Sequence, residues 1–356
     1  MNALQPEIAV TGLGLVLPCG DGPDAARASV NSGAPCFEPI PEELGGYRAG
    51  RCAAFNPGGI IPPMQARRLD RCSRFAWVAA AQAFQDAGFD PKDRGERIAV
   101  AAATMSGGDE ATEAFLRPYF ARGPEGASPL VFPNCVANAA AGYLAVAFGL
   151  KGPSATQLER EVGAFAALDQ AVRWLRLGFC DTALVVGLDG LSPMLGTVTA
   201  AAGLTTRAEA PTFGGHGFLP GEGASALLLE RREDAQARGA RIRATLGALT
   251  ERAPLAPARR EEALLAAVDA ACPRPPEAWI GGANGHPRLD RLESAVRTAH
   301  PDWPAPRHPK LQWGEFGGSG AQLLAAALLA PAASVLVSGP ASFGAQWALR
   351  WDAVAG

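Results

Sequence analysis

The sequence has no run of five like charges, no Cys-x-x-Cys pair and no histidine at metal-ligand spacing. The first absence, with a formal net charge of −3, removes the basic surface a nucleic acid needs, so no nucleic-acid partner is expected. The others leave the seven cysteines (19, 36, 52, 72, 135, 180 and 272) as scattered, reduced and mostly structural thiols, with no metal site and no disulfide framework. The opening MNALQPEIAVTGLGLVLPCG lacks the basic region and cleavage site of a secretory signal, which predicts a cytoplasmic protein. The most apolar stretch, 323–337, is interrupted by Pro331 and falls short of the roughly twenty residues that cross a bilayer; it predicts a buried helix and then a buried strand.

The 356 residues, 48% of them hydrophobic and 19% charged, can bury a core larger than one ordinary domain holds. Uniformly apolar runs at 8–12, 98–103, 182–187, 224–230, 278–281 and 334–337 predict strands. Helical spacing at 70–87, 138–148, 162–177, 261–271, 290–299 and 321–330 predicts the helices between them. Strands apolar on both faces need helices on both sides, so the expected class is layered α/β. Two similar halves are expected, residues 1–235 and 236–356, joined near 231–243. Loops rich in Pro and Gly at 33–63, 252–257 and 300–309 punctuate the chain, and the last two read as plain surface connectors.

Four long segments, in order, resemble the β-ketoacyl synthase (condensing-enzyme) family: AVTGLGLVLPCG at 9–20, RRLDRCSRFA at 67–76, SPLVFPNCVANAAAGYLAVAFGLKGPS at 128–154 and GFLPGEGASALLLE at 217–230. The resemblance implies a thiolase-like fold, two similar βαβαβ-type halves stacked as αβαβα. Active members of such a family attack an acyl thioester with a cysteine at a strand-to-helix elbow, where the helix N-terminus favours a thiolate, and use two histidines for decarboxylation of a malonyl unit. The cysteine position, eight residues after the Pro of GPS, is Glu161 here. The first histidine position, five residues before the Pro of Pro-x-x-Asp-x-x-Glu (Pro287, Asp290, Glu293), is Gly282; matching an Ala-His-Gly triplet instead gives Asn284. His286 is the nearby imidazole and reads as a surface residue. The second histidine position, after Lys-x-x-x-Gly, is Glu315, and Lys310 of that motif is expected to pair with it.

Loss of all three groups on an intact scaffold resembles the chain-length factors, the partner subunits of ketosynthases in type II polyketide and aryl polyene pathways. PRLDRLE at 287–293 is similar to their Pro-x-Leu-Asp-x-x-Glu stretch, and Glu rather than Gln at position 161 leans toward the aryl polyene type. The resemblance implies a heterodimer with an active ketosynthase, with acyl chains arriving on the phosphopantetheine arm of an acyl carrier protein and no resident cofactor. The strand before the elbow is then at the dimer axis, with Gln157, Glu159 and Arg160 as interface residues beside Cys135; charge there disfavours a homodimer. Phe115, Tyr119, Phe120, Val131 and Phe132 are expected at the floor of the acyl tunnel. Two other readings stay open: a malonyl carrier protein decarboxylase that makes a starter unit, and an acyl-transfer enzyme with Cys135 or Ser154 as nucleophile.

Overall fold

The computed structural model describes residues 5–40, 46–254, 256–316 and 318–354. The parts of the proline- and glycine-rich stretches at 41–45 and 255 lie outside the described residues. Strands are β1 (Ile8–Leu17), β2 (Gly20–Asp21), β3 (Glu38–Pro39), β4 (Arg48–Ala49), β5 (Ile98–Ala103), β6 (Ser154–Gln157), β7 (Thr182–Asp189), β8 (Gly223–Arg231), β9 (Ala244–Arg252), β10 (Ala278–Ile280), β11 (Ser334–Gly339) and β12 (Gln346–Asp352). Helices are α1 (Pro23–Ser32), α2 (Pro63–Ala66), α3 (Arg71–Asp86), α4 (Asp109–Arg122), α5 (Ala139–Phe148), α6 (Gly163–Arg176), α7 (Pro193–Ala201), α8 (Arg232–Ala237), α9 (Arg260–Ala271), α10 (Pro287–Ala299), α11 (Lys310–Trp313) and α12 (Ser319–Leu329).

One sheet runs in the order β10-β11-β12-β9-β1-β8-β7-β5-β6, with β2 attached to β1. Among the described residues the N-terminal strands pair with the C-terminal ones only at Ala9↔Thr245 and Val10↔Ala244, so the sheet is pinched there into two parts. β5 lies parallel to β6 and β7, and β8 is antiparallel to both β7 and β1.

Period-two alternation sorts the strand side chains onto two faces. Ala99, Ala101, Ala103, Ala183, Val185, Leu227 and Leu229 face α6 and α12, sharing a cluster with Phe165, Leu168 and Leu324. Ile98, Val100, Ala102, Leu184, Val186 and Leu228 face α3 and α5, with Phe75, Ala79 and Leu144. A third cluster packs Leu264 and Val268 of α9 and Leu292 and Val296 of α10 on Leu336 and Ala348. The order is therefore helices, sheet, helices, sheet, helices, the expected five-layer α/β stack. Gly12 and Gly14 are needed on β1 because a side chain at either would run into the carbonyls of Ala83 and Ala79, so α3 lies directly on the strand. Asp70 starts α3 by accepting from Ser73 N at 3.1 Å.

The strand predicted at 98–103 is β5 residue for residue, and the helix predicted at 162–177 is α6 less one residue at each end. β6 stops at Gln157, however, so Leu158 and Glu159 are coil and Arg160–Val162 form a 3-10 turn. Glu159 and Arg160 accordingly do not sit on the edge strand; Gln157 does.

Candidate functional site

The loops that leave the strands converge where the two sheet parts meet, and there they enclose a cavity of about 100 Å³. Its walls include Met105 after β5, Leu195 of α7, Phe218 before β8 and Phe316 after α11. Into this apolar space project Glu161, Asn284, His286 and Glu315, which span 154 residues of the chain (161 to 315) but share one chamber.

Glu161 reaches it from the turn that feeds α6. Its Oε1 accepts a hydrogen bond from Ser342 Oγ, and its Oε2 is enclosed without a partner among the described residues. The turn is strained: Arg160 has φ +48°, the positive-φ non-glycine residue among those described, a conformation that costs about 1 kcal/mol or more for an L side chain. That strain throws Arg160 away from the sheet edge and onto the ring of Phe343, 5.0 Å from its centroid. Arg160 thus lines the cavity mouth.

Asn284, and not Gly282, faces the cavity. A side chain at Gly282 would run into Pro340 and the Ser338 carbonyl, so that position looks into the protein wall. Asn284 is 3% exposed; its Nδ2 donates to Glu315 Oε2 at 2.9 Å and its Oδ1 accepts from His286 N at 2.9 Å. Lys310 Nζ, itself 1% exposed, donates to the same Glu315 oxygen at 2.9 Å. One wall is therefore an ammonium, a carboxylate and an amide already engaged with each other, and an ammonium held that close keeps Glu315 from acting as a free base.

His286 is a correction to its expected surface location, since it lines the cavity. Its Nδ1 accepts from Arg288 N at 3.2 Å, capping α10, which places the remaining ring proton on Nε2. Burial, and then the Arg288 charge, lower its pKa, so at neutral pH the ring is an uncharged Nε2–H donor. In that tautomer it cannot accept a proton from a substrate.

Behind the chamber two fully buried carboxyls hold the loops in place. Asp189, at the end of β7, accepts from Thr104 Oγ1 at 2.5 Å, Ser106 N at 2.8 Å and Gly318 N at 2.6 Å, tying the loop after β5 to the start of α12. Glu293 accepts from Ser338 Oγ at 2.6 Å and Ala283 N at 2.8 Å, which fixes the backbone that carries Asn284. Asp290 accepts from Asn284 N at 3.2 Å and Gly285 N at 3.0 Å and completes the same clamp.

The aromatic residues expected at a tunnel floor are not in this chamber. Phe120 is 78% exposed and Phe132 61%, while Phe115 packs tilted at 54° against Phe132 with centroids 5.4 Å apart. With Tyr119, Val131 and nearby Met194 they form an apolar face on α4, the turn at Phe132–Asn134 and α7. Cys135 lies in the same region, its Sγ 3.7 Å from the Val131 carbonyl, and Ser154 opens the exposed end of β6; neither lines the cavity. Sequence reasoning missed Ser342 and Phe343, which close the mouth. Their signal, a short Ser-Phe-Gly between two apolar runs, reads only as a turn.

A family model described as "Beta-ketoacyl synthase, N-terminal domain" matches residues 5–235. The chain belongs to the β-ketoacyl synthase family. A 3-oxoacyl-[acyl-carrier-protein] synthase 2 of Staphylococcus aureus (strain N315) is 29% identical over 252 residues, 67% of this chain, and one of Vibrio cholerae is 28% identical over 249. The match spans 61% of the length of the Staphylococcus relative. Among solved structures, one titled "The ishigamide ketosynthase/chain length factor" superposes with a TM-score of 0.89 at 22% identity, over 99% of this chain and 100% of that one. A β-ketoacyl synthase from Burkholderia phymatum STM815 gives 0.83 at 19% identity, covering 98% and 100%. A third, a type II polyketide acyl carrier protein in complex with its ketosynthase, gives 0.79 at 18%, again covering 98% and 100%. These likenesses establish the ketosynthase, thiolase-like fold. Among the described residues no helix is long and apolar enough to cross a membrane.

Proposed function

We propose that this chain is a non-catalytic subunit of chain-length-factor type, which pairs with an active β-ketoacyl synthase and shapes the space its acyl chain grows into. One observation carries the reading: the chamber where the family's chemistry belongs holds Glu161, Asn284 and Glu315 in place of a thiol and two imidazoles. A carboxylate could attack a thioester, but the mixed anhydride formed would favour return to thioester. With Lys310 on Glu315, the chamber lacks the pair of imidazoles with which the family works on a malonyl unit.

Two further features support pairing. β6 is the outer strand of its sheet, with one side unpaired among the described residues, and Phe120, Phe132 and Met194 are exposed; open strand edges and exposed apolar groups of this kind call for a cover. The structural relatives titled as a ketosynthase/chain length factor and as a ketosynthase with its acyl carrier protein are in keeping with a synthase and a carrier protein as partners. An aryl polyene or related polyketide pathway is the setting proposed. A malonyl decarboxylase is the competing reading; the buried Glu161 Oε2 beside His286 is the observation in its favour.

Sedimentation of the chain alone and mixed with an intact synthase of its own pathway tests the pairing: a 1:1 complex tighter than any self-association is expected, and a tight homodimer that ignores the synthase would count against it. In the reconstituted pair, where the synthase would cover this outer face, Phe115→Ala or Phe120→Ala should lengthen the product by at least one two-carbon unit, read by mass spectrometry, because bulk at a covered floor opposes overfilling by about 1–3 kcal/mol. Unchanged lengths from both variants would remove these rings from the floor.

A further inference from the structure

Cys19 lies in the corner between β1 and β2, and Cys36 lies in the coil that follows α1. The fold brings the two side chains together, so that their thiols hydrogen-bond each other. Both are only half-buried and open to small solutes, whereas Cys52, Cys72, Cys180 and Cys272 are buried.

The surroundings hold the pair in a defined state. Cys36 N donates to the Gln312 carbonyl of α11 at 2.8 Å, and the next residue, Trp313, donates from Nε1 to Ser29 Oγ at 2.8 Å. Ser29 Oγ lies 3.7 Å from Cys36 Sγ. Because the hydroxyl oxygen takes the indole N–H, its own hydrogen is free to point at the sulfur. The hydrogen bond from Cys19, joined by that of Ser29, lowers the Cys36 pKa to about 6, while the same thiol contact and burial raise that of Cys19. At neutral pH the pair is one thiolate beside one thiol, an attacking sulfur with a resolving partner in reach.

We propose that Cys19 and Cys36 are a reversible redox-modification site, closed to an intramolecular disulfide by a hydroperoxide such as hydrogen peroxide. The Cys36 thiolate attacks one peroxide oxygen, the O–O bond breaks and hydroxide leaves, which puts a sulfenic acid on Cys36. Loss of the Cys36 charge removes the repulsion that keeps Cys19 protonated. Cys19 then gives up its proton, its sulfur attacks that of Cys36, and the sulfenic oxygen leaves as water. In sum two thiols are oxidised to one S–S bond and one peroxide is reduced to two waters. The bridge straps the β1–β2 corner to the coil that Cys36 N ties to α11, the helix whose Lys310 holds Glu315 in the chamber wall. The site does not depend on pairing with a synthase, so its failure would leave that reading untouched.

Peptide mapping of the full chain after hydrogen peroxide treatment tests it, with remaining thiols blocked by iodoacetamide in denaturant and no reductant present. A linked Cys19–Cys36 peptide should appear, and labelling of both residues should fall at least tenfold. Cys135, also half-buried but with its Sγ on the Val131 carbonyl, should keep its label. Dithiothreitol should restore labelling of the pair, which separates a disulfide from irreversible oxidation. In Cys19→Ser the oxidised Cys36 has no resolving partner and should be trapped by dimedone as a sulfenic acid; in Cys36→Ser, Cys19 should remain a thiol. The map of the parent chain decides the pairing even where a serine variant unfolds. Full labelling of Cys19 and Cys36 in the treated parent, a bridge from either to another cysteine, or dimedone capture at Cys19 in Cys36→Ser would overturn the site.

Discussion

Lys310→Met should destabilise the full chain by about 3–5 kcal/mol, the cost of leaving a buried carboxylate without its cation. Methionine keeps most of the volume of the lysine stem, so the loss is electrostatic and not a cavity effect. Lys310 is 1% exposed, and its Nζ lies 2.9 Å from Glu315 Oε2, whose side chain is itself only 10% exposed. The double variant Lys310→Met/Glu315→Gln should recover most of the loss, since an uncharged amide can still meet Asn284. Urea unfolding of the three variants measures this. A loss under 1 kcal/mol for Lys310→Met would mean that the pair is solvated and that Glu315 is free to act as a base.

The second large effect is a hidden pH dependence. Burial pushes the Glu293 carboxyl up to about 7, and it pulls the His308 imidazole down to about 4. The two side chains are neighbours behind Gly281. Folded Glu293 holds a proton that the unfolded chain releases near 4.5, so its contribution to stability is present at low pH and is lost as pH rises from about 4.5 through 7. His308 acts the other way: the unfolded chain takes up a proton near 6.5 and the folded one does not, so stability is lost as pH falls from about 6.5 through 4. Each effect is on the order of 3 kcal/mol, and between pH 4.5 and 6.5 they oppose each other. Relative to the parent chain, Glu293→Gln should therefore gain stability as pH rises across that window, and His308→Gln should lose it. Parallel pH profiles for both variants and the parent would contradict this.

The sequence predicted the strands of the N-terminal sheet well because helices cover both their faces, and a double cover demands the unbroken apolar runs that are easy to see. β9 and β12 escaped notice for the converse reason. β9, with Gly247 and a charged end, is largely half-exposed, and β12 interleaves Trp347, Leu349 and Trp351 with an arginine and ends in Asp352. Glu161 and Glu315 could be placed by the resemblance to the family's motifs around GPS and Lys-x-x-x-Gly, and both reach the chamber. Counting could not choose between Gly282 and Asn284, because the choice depends on which way the backbone clamped by Asp290 and Glu293 turns its side chains. His286 read as a surface residue since nothing in a Gly-His-Pro triplet announces that the ring caps α10 from inside a cavity. The rings of Phe120 and Phe132 carry the helical and turn spacing of a core, and only the fold reveals that they face outward, with Phe115 half-buried beside Phe132.

The central proposal is that this ketosynthase fold keeps its chamber without the family's chemistry. Incubation of the purified chain with acyl and malonyl thioesters, read by mass spectrometry of the intact protein and of the small molecules, tests it most directly. The expected result is no acyl adduct on the chain and no loss of carbon dioxide above the uncatalysed rate, with condensation appearing only when an intact synthase is added. An acylated chain, or decarboxylation by the chain alone that Glu161→Ala abolishes, would contradict it.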